Sequence, residues 1–251
     1  MNLSKRKLIK EVDYKLMLQT FKTTLSSKKL LTGNIYLFNF KLIEPLEMKF
    51  IAGQYMMLKV PKDGSFVSRL YSIASPPNIK DSFELIIELV PQGIGSCYVE
   101  SLKLGQEVVF QGPAGIFYLN QNEKTKIFLV TGTGIAPVRS ILKGMTSANY
   151  YLFWGLKTLK DIYLLDEFKQ FNLKICLSKE NNLEMVTEVD RKYFDLGHVD
   201  YVFDKQFGNL TIEQLNNFEF YLCGARTVVE SLKQFVLAKN IPPTNIHFEK
   251  F

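Results

Sequence analysis

The feature that most constrains this chain is the segment at residues 126–137, KIFLVTGTGIAP. Residues 127–131 read as a short buried strand. The strand runs into Gly132-Thr133-Gly134, and Pro137 sits where a helix begins, a place where proline is well tolerated. A buried strand that turns at once into a helix implies strand–helix alternation around it. The rest of this half supplies it. Residues 150–154 (YYLFW), 173–178 (LKICLS) and 218–223 (FEFYLC) read as further strands, with helices ending near Met145 and spanning 226–239. Such alternation predicts a parallel sheet with crossover helices.

The first half has another texture. From about Tyr14 to Leu119 the apolar runs are short, as at 34–40 (NIYLFNF), 54–60 (QYMMLKV), 83–90 (FELIIELV) and 107–111 (EVVFQ). Turn signals separate them, which predicts an antiparallel barrel or sandwich. A short helix is expected over 96–102, with Ser96 as its N-cap. The polar stretch 120–125 marks the boundary. The expected architecture is a β-barrel domain over residues 1–122 followed by an α/β domain over 123–251.

Composition excludes several classes. Hydrophobic residues make up 47% of the 251, too many for a disordered chain. No stretch approaches the ~20 apolar residues of a membrane-spanning helix. The basic segment from Lys5 to Lys10 is followed by no apolar core, so it does not read as a secretory signal. Three scattered cysteines, Cys97, Cys176 and Cys223, form no disulfide framework and cannot supply the four thiolates of an iron–sulfur cluster. With only two histidines and no HExxH pair, no metal site is expected. A reducing cytoplasm is the simplest compartment. The net charge of +6 comes from scattered lysines. It suits either an acidic partner or a solvated surface, and without a basic stripe no nucleic acid is expected.

Three segments carry candidate chemistry, and each also has a plain structural reading. Thr131 to Gly134 ahead of Pro137 lets backbone approach a ligand closely, with a helix N-terminus offering free N–H groups to a phosphate. The same residues also make an ordinary strand–helix turn. Arg69-Leu70-Tyr71-Ser72 ends a strand on which Arg69 and Tyr71 share a face; Arg69 could hold a diphosphate as a fork. The plain reading is a barrel strand with an exposed Arg and Tyr. Gly93-Ile94-Gly95-Ser96 opens the short helix, as a phosphate-binding terminus or a capped turn.

Taken in order, RLYSIAS, GIGS, GPAGIF (112–117), TGTGIAP, YLCGA (221–225) and a terminal FEKF resemble the ferredoxin–NADP reductase family of flavoproteins. The resemblance covers about residues 20–251. It implies an FAD-binding barrel, an NAD(P)-binding α/β domain, and the following roles. Arg69 holds the FAD diphosphate, with Leu70 in the same segment, and Gly93, Gly95 and Ser96 cradle that diphosphate. Tyr71 stacks on the flavin, and Ser72 bonds near its N5. Thr131, Gly132, Thr133, Gly134 and Pro137 bind the nicotinamide nucleotide. Cys223, before Gly224, sits beside the nicotinamide. Glu249 is catalytic, and Phe251, where plant-type members end in Tyr, covers the flavin.

Ser178 and Lys179, helped by Lys157 and Lys160, suit a 2′-phosphate and lean toward NADPH. The implied activity is hydride transfer from NAD(P)H to flavin, then electron transfer to a separate ferredoxin, flavodoxin or oxygenase component. Alternatives are a free-flavin reductase or diaphorase, and a non-catalytic flavoprotein subunit of a larger assembly.

Overall fold

The computed structural model describes residues 18–145 and 149–251. The basic segment from Lys5 to Lys10 lies outside them. The first half folds as strands β1 (Gln19–Thr32), β2 (Ile35–Glu44), β3 (Tyr55–Lys62), β4 (Ser65–Ser72) and β5 (Ser82–Glu88), helix α1 (Ile94–Ser101), and strand β6 (Glu107–Ala114). The six strands form one antiparallel sheet in the order β4-β3-β6-β1-β2-β5. An antiparallel bridge from Ile73 to Leu85 joins the two edges and curls the sheet into a barrel. Alternate inward positions supply the core. Phe40 meets Phe110 edge-on at 4.8 Å, and Phe83 meets Phe110 at 5.1 Å. Aromatic pairs at such angles add to the burial energy of their rings.

The second half comprises β7 (Thr125–Thr131), α2 (Ile135–Gly144), β8 (Tyr150–Leu156), α3 (Leu165–Phe168), β9 (Leu173–Leu177), β10 (Phe194–Leu196), α4 (Val199–Phe207), α5 (Ile212–Leu215), β11 (Phe218–Gly224), α6 (Arg226–Ala238) and β12 (Ile246–Lys250). Its sheet is parallel, in the order β10-β9-β8-β7-β11-β12. The chain moves outward from β7 to β10, then returns to the other side of β7. Strand order therefore reverses beside β7, and open parallel sheets bind ligands outside the carboxyl ends of strands at such a point. Both α2 and α6 begin there. Among the described residues no helix is long and apolar enough to cross a membrane.

The two faces of β11 serve different cores. Phe218, Phe220 and Leu222 pack under α4 and α6, whereas Tyr221 and Cys223 join the core that reaches Phe117 and Ala74 at the barrel. Two-residue periodicity produces the division.

The short helix departs from expectation. It starts at Ile94, and its N-cap is Gly93, whose carbonyl accepts from the Cys97 N–H at 2.8 Å. Ser96 does not cap it. Its hydroxyl instead accepts from the Val90 N–H at 2.9 Å, tying the preceding loop to the first turn. Extended backbone at Gly93 lets the turn close sooner than a Ser96 cap allows.

Candidate active site

A cavity of about 1100 Å³ opens between the barrel and the carboxyl ends of the parallel strands. From the barrel it is lined by Leu70, Tyr71 and Ser72. From β7 and its turn come Thr131, Gly132 and Thr133. Ser178, Lys179 and Lys157 line it beyond β8 and β9, and Glu249 and Phe251 close it at β12. Ten of the residues expected from sequence, together with Lys157, thus share one volume. Lys160 is absent from it; its carbonyl accepts from the Thr32 hydroxyl at 2.6 Å.

The other expected residues stand behind this wall. Gly95 lies under the Arg69–Tyr71 face. A Cβ there would fall 2.7 Å from the Tyr71 hydroxyl and 2.8 Å from Arg69 Cγ. The Arg69 and Tyr71 side chains thus occupy the space that a side chain at residue 95 would take. Gly93 and Ser96 flank it at the helix opening. Arg69 is exposed, with Nη1 donating to the Ser68 carbonyl.

At the parallel sheet, a Cβ on Gly134 would lie 2.4 Å from the Cys223 carbonyl. Gly224 has φ +147, and a Cβ there would lie 2.3 Å from Thr131 Oγ1. The ends of β7 and β11 therefore pass at a separation that only glycine permits. Pro137 is buried in the first turn of α2. Cys223 is fully buried, and burial, with Glu249 next in effect, pushes its thiol well up. Its sulfur stays protonated and unsuited to nucleophilic attack.

Ser72 and Glu249 meet across the cleft. The Ser72 hydroxyl donates to Glu249 Oε1 at 3.3 Å. Glu249 lies in register with Cys223 on the neighbouring strand. Its other oxygen, Oε2, is buried with no hydrogen-bond partner. Burial pushes its carboxyl up to about 7, and the Ser72 hydroxyl only partly offsets that. A buried acid half-protonated at neutral pH can give or take a proton at Oε2.

The raised value also fixes a stability effect. The folded protein keeps a proton that the unfolded chain releases above about pH 4.5, so Glu249 destabilises increasingly as pH rises from there through 7. Glu249→Gln should raise the melting temperature at about pH 8 and leave it nearly unchanged at about pH 4. Equal shifts at both pH values would contradict this reading.

The sequence reading did not include several polar contributors, three of which stand at helix openings. His198 and Asp200 line the cavity from the start of α4, and Thr227 lines it from the start of α6. Their only signal is position just after a strand end, at a helix opening. Nor did it include the bonds beneath the loop. The Gly132 carbonyl accepts from Trp154 Nε1 at 3.0 Å and from the Tyr163 hydroxyl at 3.1 Å.

Comparison with known proteins agrees with this geometry. Residues 22–118 match the oxidoreductase FAD-binding domain, and residues 128–234 match the oxidoreductase NAD-binding domain. The chain belongs to the ferredoxin–NADP reductase family. Within that family it is similar to the toluate 1,2-dioxygenase electron transfer component of Pseudomonas putida. They share 31% identity over 82% of this chain and 60% of that protein. The propane 2-monooxygenase reductase component of Gordonia sp. (strain TY-5) is 26% identical over 93% of this chain and 68% of that protein.

The family fold is seen directly in a crystal structure of a ferredoxin NADP+ reductase from Neisseria gonorrhoeae with bound FAD and NADP. It has a TM-score of 0.77 at 19% identity, over 92% of this chain and 98% of that one. The chain spans about 60% of the length of the first curated relatives it matches.

The residues present fit a flavin and a pyridine nucleotide. The cavity is roomy, Gly95 leaves space under the Arg69 and Tyr71 side chains, and a buried Glu249 oxygen has no protein partner.

Proposed function

We propose that this chain is an FAD-dependent NAD(P)H reductase that delivers electrons to a separate acceptor. The observation that carries the reading is the convergence of Tyr71 and Ser72 from the barrel, the Thr131–Thr133 turn, and Glu249 on one cavity. When bound, the flavin supplies the chemistry, accepting hydride at N5 and releasing electrons singly or in pairs.

The chain's own residues do the rest. Arg69 and the opening of α1 hold the FAD diphosphate by charge and N–H groups. Tyr71 gives one flat face for the ring to stack on. The turn before α2 would hold the nucleotide's diphosphate, and bringing both cofactors into one cavity would be the main catalytic device. Ser72 and Glu249 keep a proton available at the cavity edge. Cys223 would stand beside the nicotinamide as a neutral thiol. For the nucleotide, Ser178, Lys179 and Lys157 favour NADPH, since a hydroxyl and two ammonium groups suit a 2′-phosphate.

The acceptor is a ferredoxin, a flavodoxin or an oxygenase component. The names of the relatives in toluate and propane oxidation favour the oxygenase side. A net charge of +6 suits an acidic acceptor, and added salt should then slow its reduction.

Phe251 is 57% exposed, yet its backbone is anchored. Its N–H donates to the Gly224 carbonyl, and its carbonyl accepts from the Arg226 N–H. The ring lies at the cavity and has to leave for nicotinamide to stack. Deleting Phe251 should tighten nucleotide binding about fivefold, the equivalent of one lost aromatic contact of ~1 kcal/mol. Unchanged affinity would show that the ring does not compete.

The deciding experiment is an anaerobic titration of the flavin-loaded protein with NADH and, separately, NADPH. Bleaching of the visible flavin band by one of them supports the reading and names the nucleotide. Protein that takes up no FAD overturns it.

A further inference from the structure

One carbonyl in the nucleotide turn carries an unusual load. Gly132 O accepts from Trp154 Nε1 at 3.0 Å, from the Tyr163 hydroxyl at 3.1 Å, and from the backbone N–H of Ile135. A carbonyl oxygen has two lone pairs, so three donors saturate it. Both side chains are buried, and their rings meet edge-on at 4.9 Å. Trp154 comes from β8 and Tyr163 from the segment before α3, so separate elements converge on one peptide. Burial pushes the Tyr163 hydroxyl far above its ordinary value, so it remains a donor at any working pH.

The orientation matters for anion binding. Gly132 has φ +52, and a Cβ placed on it would meet nothing within 4 Å. Its carbonyl is held inward by the two rings, away from the cavity that the residue lines. The negative end of that peptide is thereby removed from the ligand's side. The N–H groups that open the turn, ahead of the bonded Ile135 N–H, have no intrahelical partner, and they provide the positive end.

We infer that Trp154 and Tyr163 are positioning residues for the nicotinamide nucleotide, acting through the Gly132 carbonyl to hold the turn in its anion-accepting form. This rests on the reductase reading above. Neither side chain lines the cavity, and their effect is on the nucleotide's affinity.

The test uses flavin-loaded protein, wild type, Tyr163→Phe and Trp154→Phe, titrated calorimetrically with NADP+ and with NAD+. Tyr163→Phe keeps the ring and loses only the donor. Its Kd should rise about fivefold, the worth of one such bond. The flavin bleaching rate at saturating nucleotide should stay within about twofold, as expected for a loss of binding alone. FAD retention should be unchanged, the melting temperature should fall by no more than about 4 °C, and amide exchange at Ile135, whose N–H bonds Gly132 O, should quicken. Trp154→Phe should show the same split between affinity and rate, and it serves if the tyrosine variant does not fold.

A wild-type protein that binds neither nucleotide overturns the reductase reading and this inference with it. A wild-type protein that binds one of them, with both variants binding it equally well, overturns the inference alone. A rise in Kd matched by lost FAD and a melting temperature lowered by more than about 4 °C assigns the rings to packing and also overturns it.

Discussion

Arg139→Ala is expected to destabilise the protein by about 3–5 kcal/mol, because it breaks a buried ion cluster from one side. Arg139 is 3% exposed. Its Nε and Nη2 donate to the two oxygens of Glu167 at 2.5 and 3.0 Å, while Nη1 donates to Glu84 Oε2 at 2.6 Å and to the Ala74 carbonyl at 2.9 Å. Removing the guanidinium leaves the Glu84 carboxylate without its cation, Glu167 with Lys143 alone at 3.1 Å, and the Ala74 carbonyl without its donor. At this chain length the melting temperature should fall by about 10 °C. Arg139→Lys keeps the charge but not the fork, so it should recover less than half of the loss.

The defect also reaches function. Ala74 lies two residues after Ser72, and Ser140 donates to the Ser75 carbonyl at 2.6 Å. Helix α2 opens with the nucleotide turn. Flavin reduction should therefore slow more than nucleotide binding weakens. A variant that melts within a degree or two of wild type would show that the cluster contributes nothing.

The second large effect concerns acid. Glu219 has a side-chain exposure of 2%, and it accepts from Lys126 Nζ at 2.6 Å, Asn120 Nδ2 at 2.6 Å and the Tyr221 hydroxyl at 3.1 Å, with His247 Nε2 at 3.0 Å. Burial pushes its carboxyl up, but the bonds from Lys126, Asn120 and His247 more than reverse this and hold it at about 2. The folded value lies below the unfolded one near 4.5. The stabilisation is therefore complete above about pH 4.5 and is lost as pH falls from there through 2. A shift of that size corresponds to about 3 kcal/mol. Glu219→Gln should lose this acid-sensitive part and leave Lys126 buried against a neutral amide. Denaturant melts at about pH 7 and pH 3 should show a steep acid decline in wild type and a shallower one in the variant. Parallel declines would remove Glu219 from the account.

Much of the fold was legible in sequence because its signals are local. The change from short runs with turns to strand–helix alternation separates barrel from parallel sheet, and 126–137 marks the first crossover. The site motifs were legible as segments, because Gly134 and Gly224 stand where two strand ends pass closely and Gly95 stands under the Arg69 and Tyr71 side chains. The pairings between segments were not. Ser72 meets Glu249 across 177 positions, and Arg139 finds Glu84 across 55. No periodicity encodes such contacts. The start of α1 was misplaced for a related reason. A serine at a helix opening reads as a cap, whereas here its hydroxyl serves the loop before it.

The stretch after the barrel reads as a polar connector, yet its asparagines are fully engaged. Asn120 and Asn122 both bond Glu219, and the Asn120 N–H donates to the Tyr221 hydroxyl. With Arg139 holding the opposite seam, and with Thr32 bonded to Lys160 and Ser72 to Glu249, the two halves are fastened at several separate places. A hinge between them has no free segment in which to bend. The two halves are therefore expected to move as a single body, and nucleotide entry is expected to be gated by small parts such as the Phe251 ring.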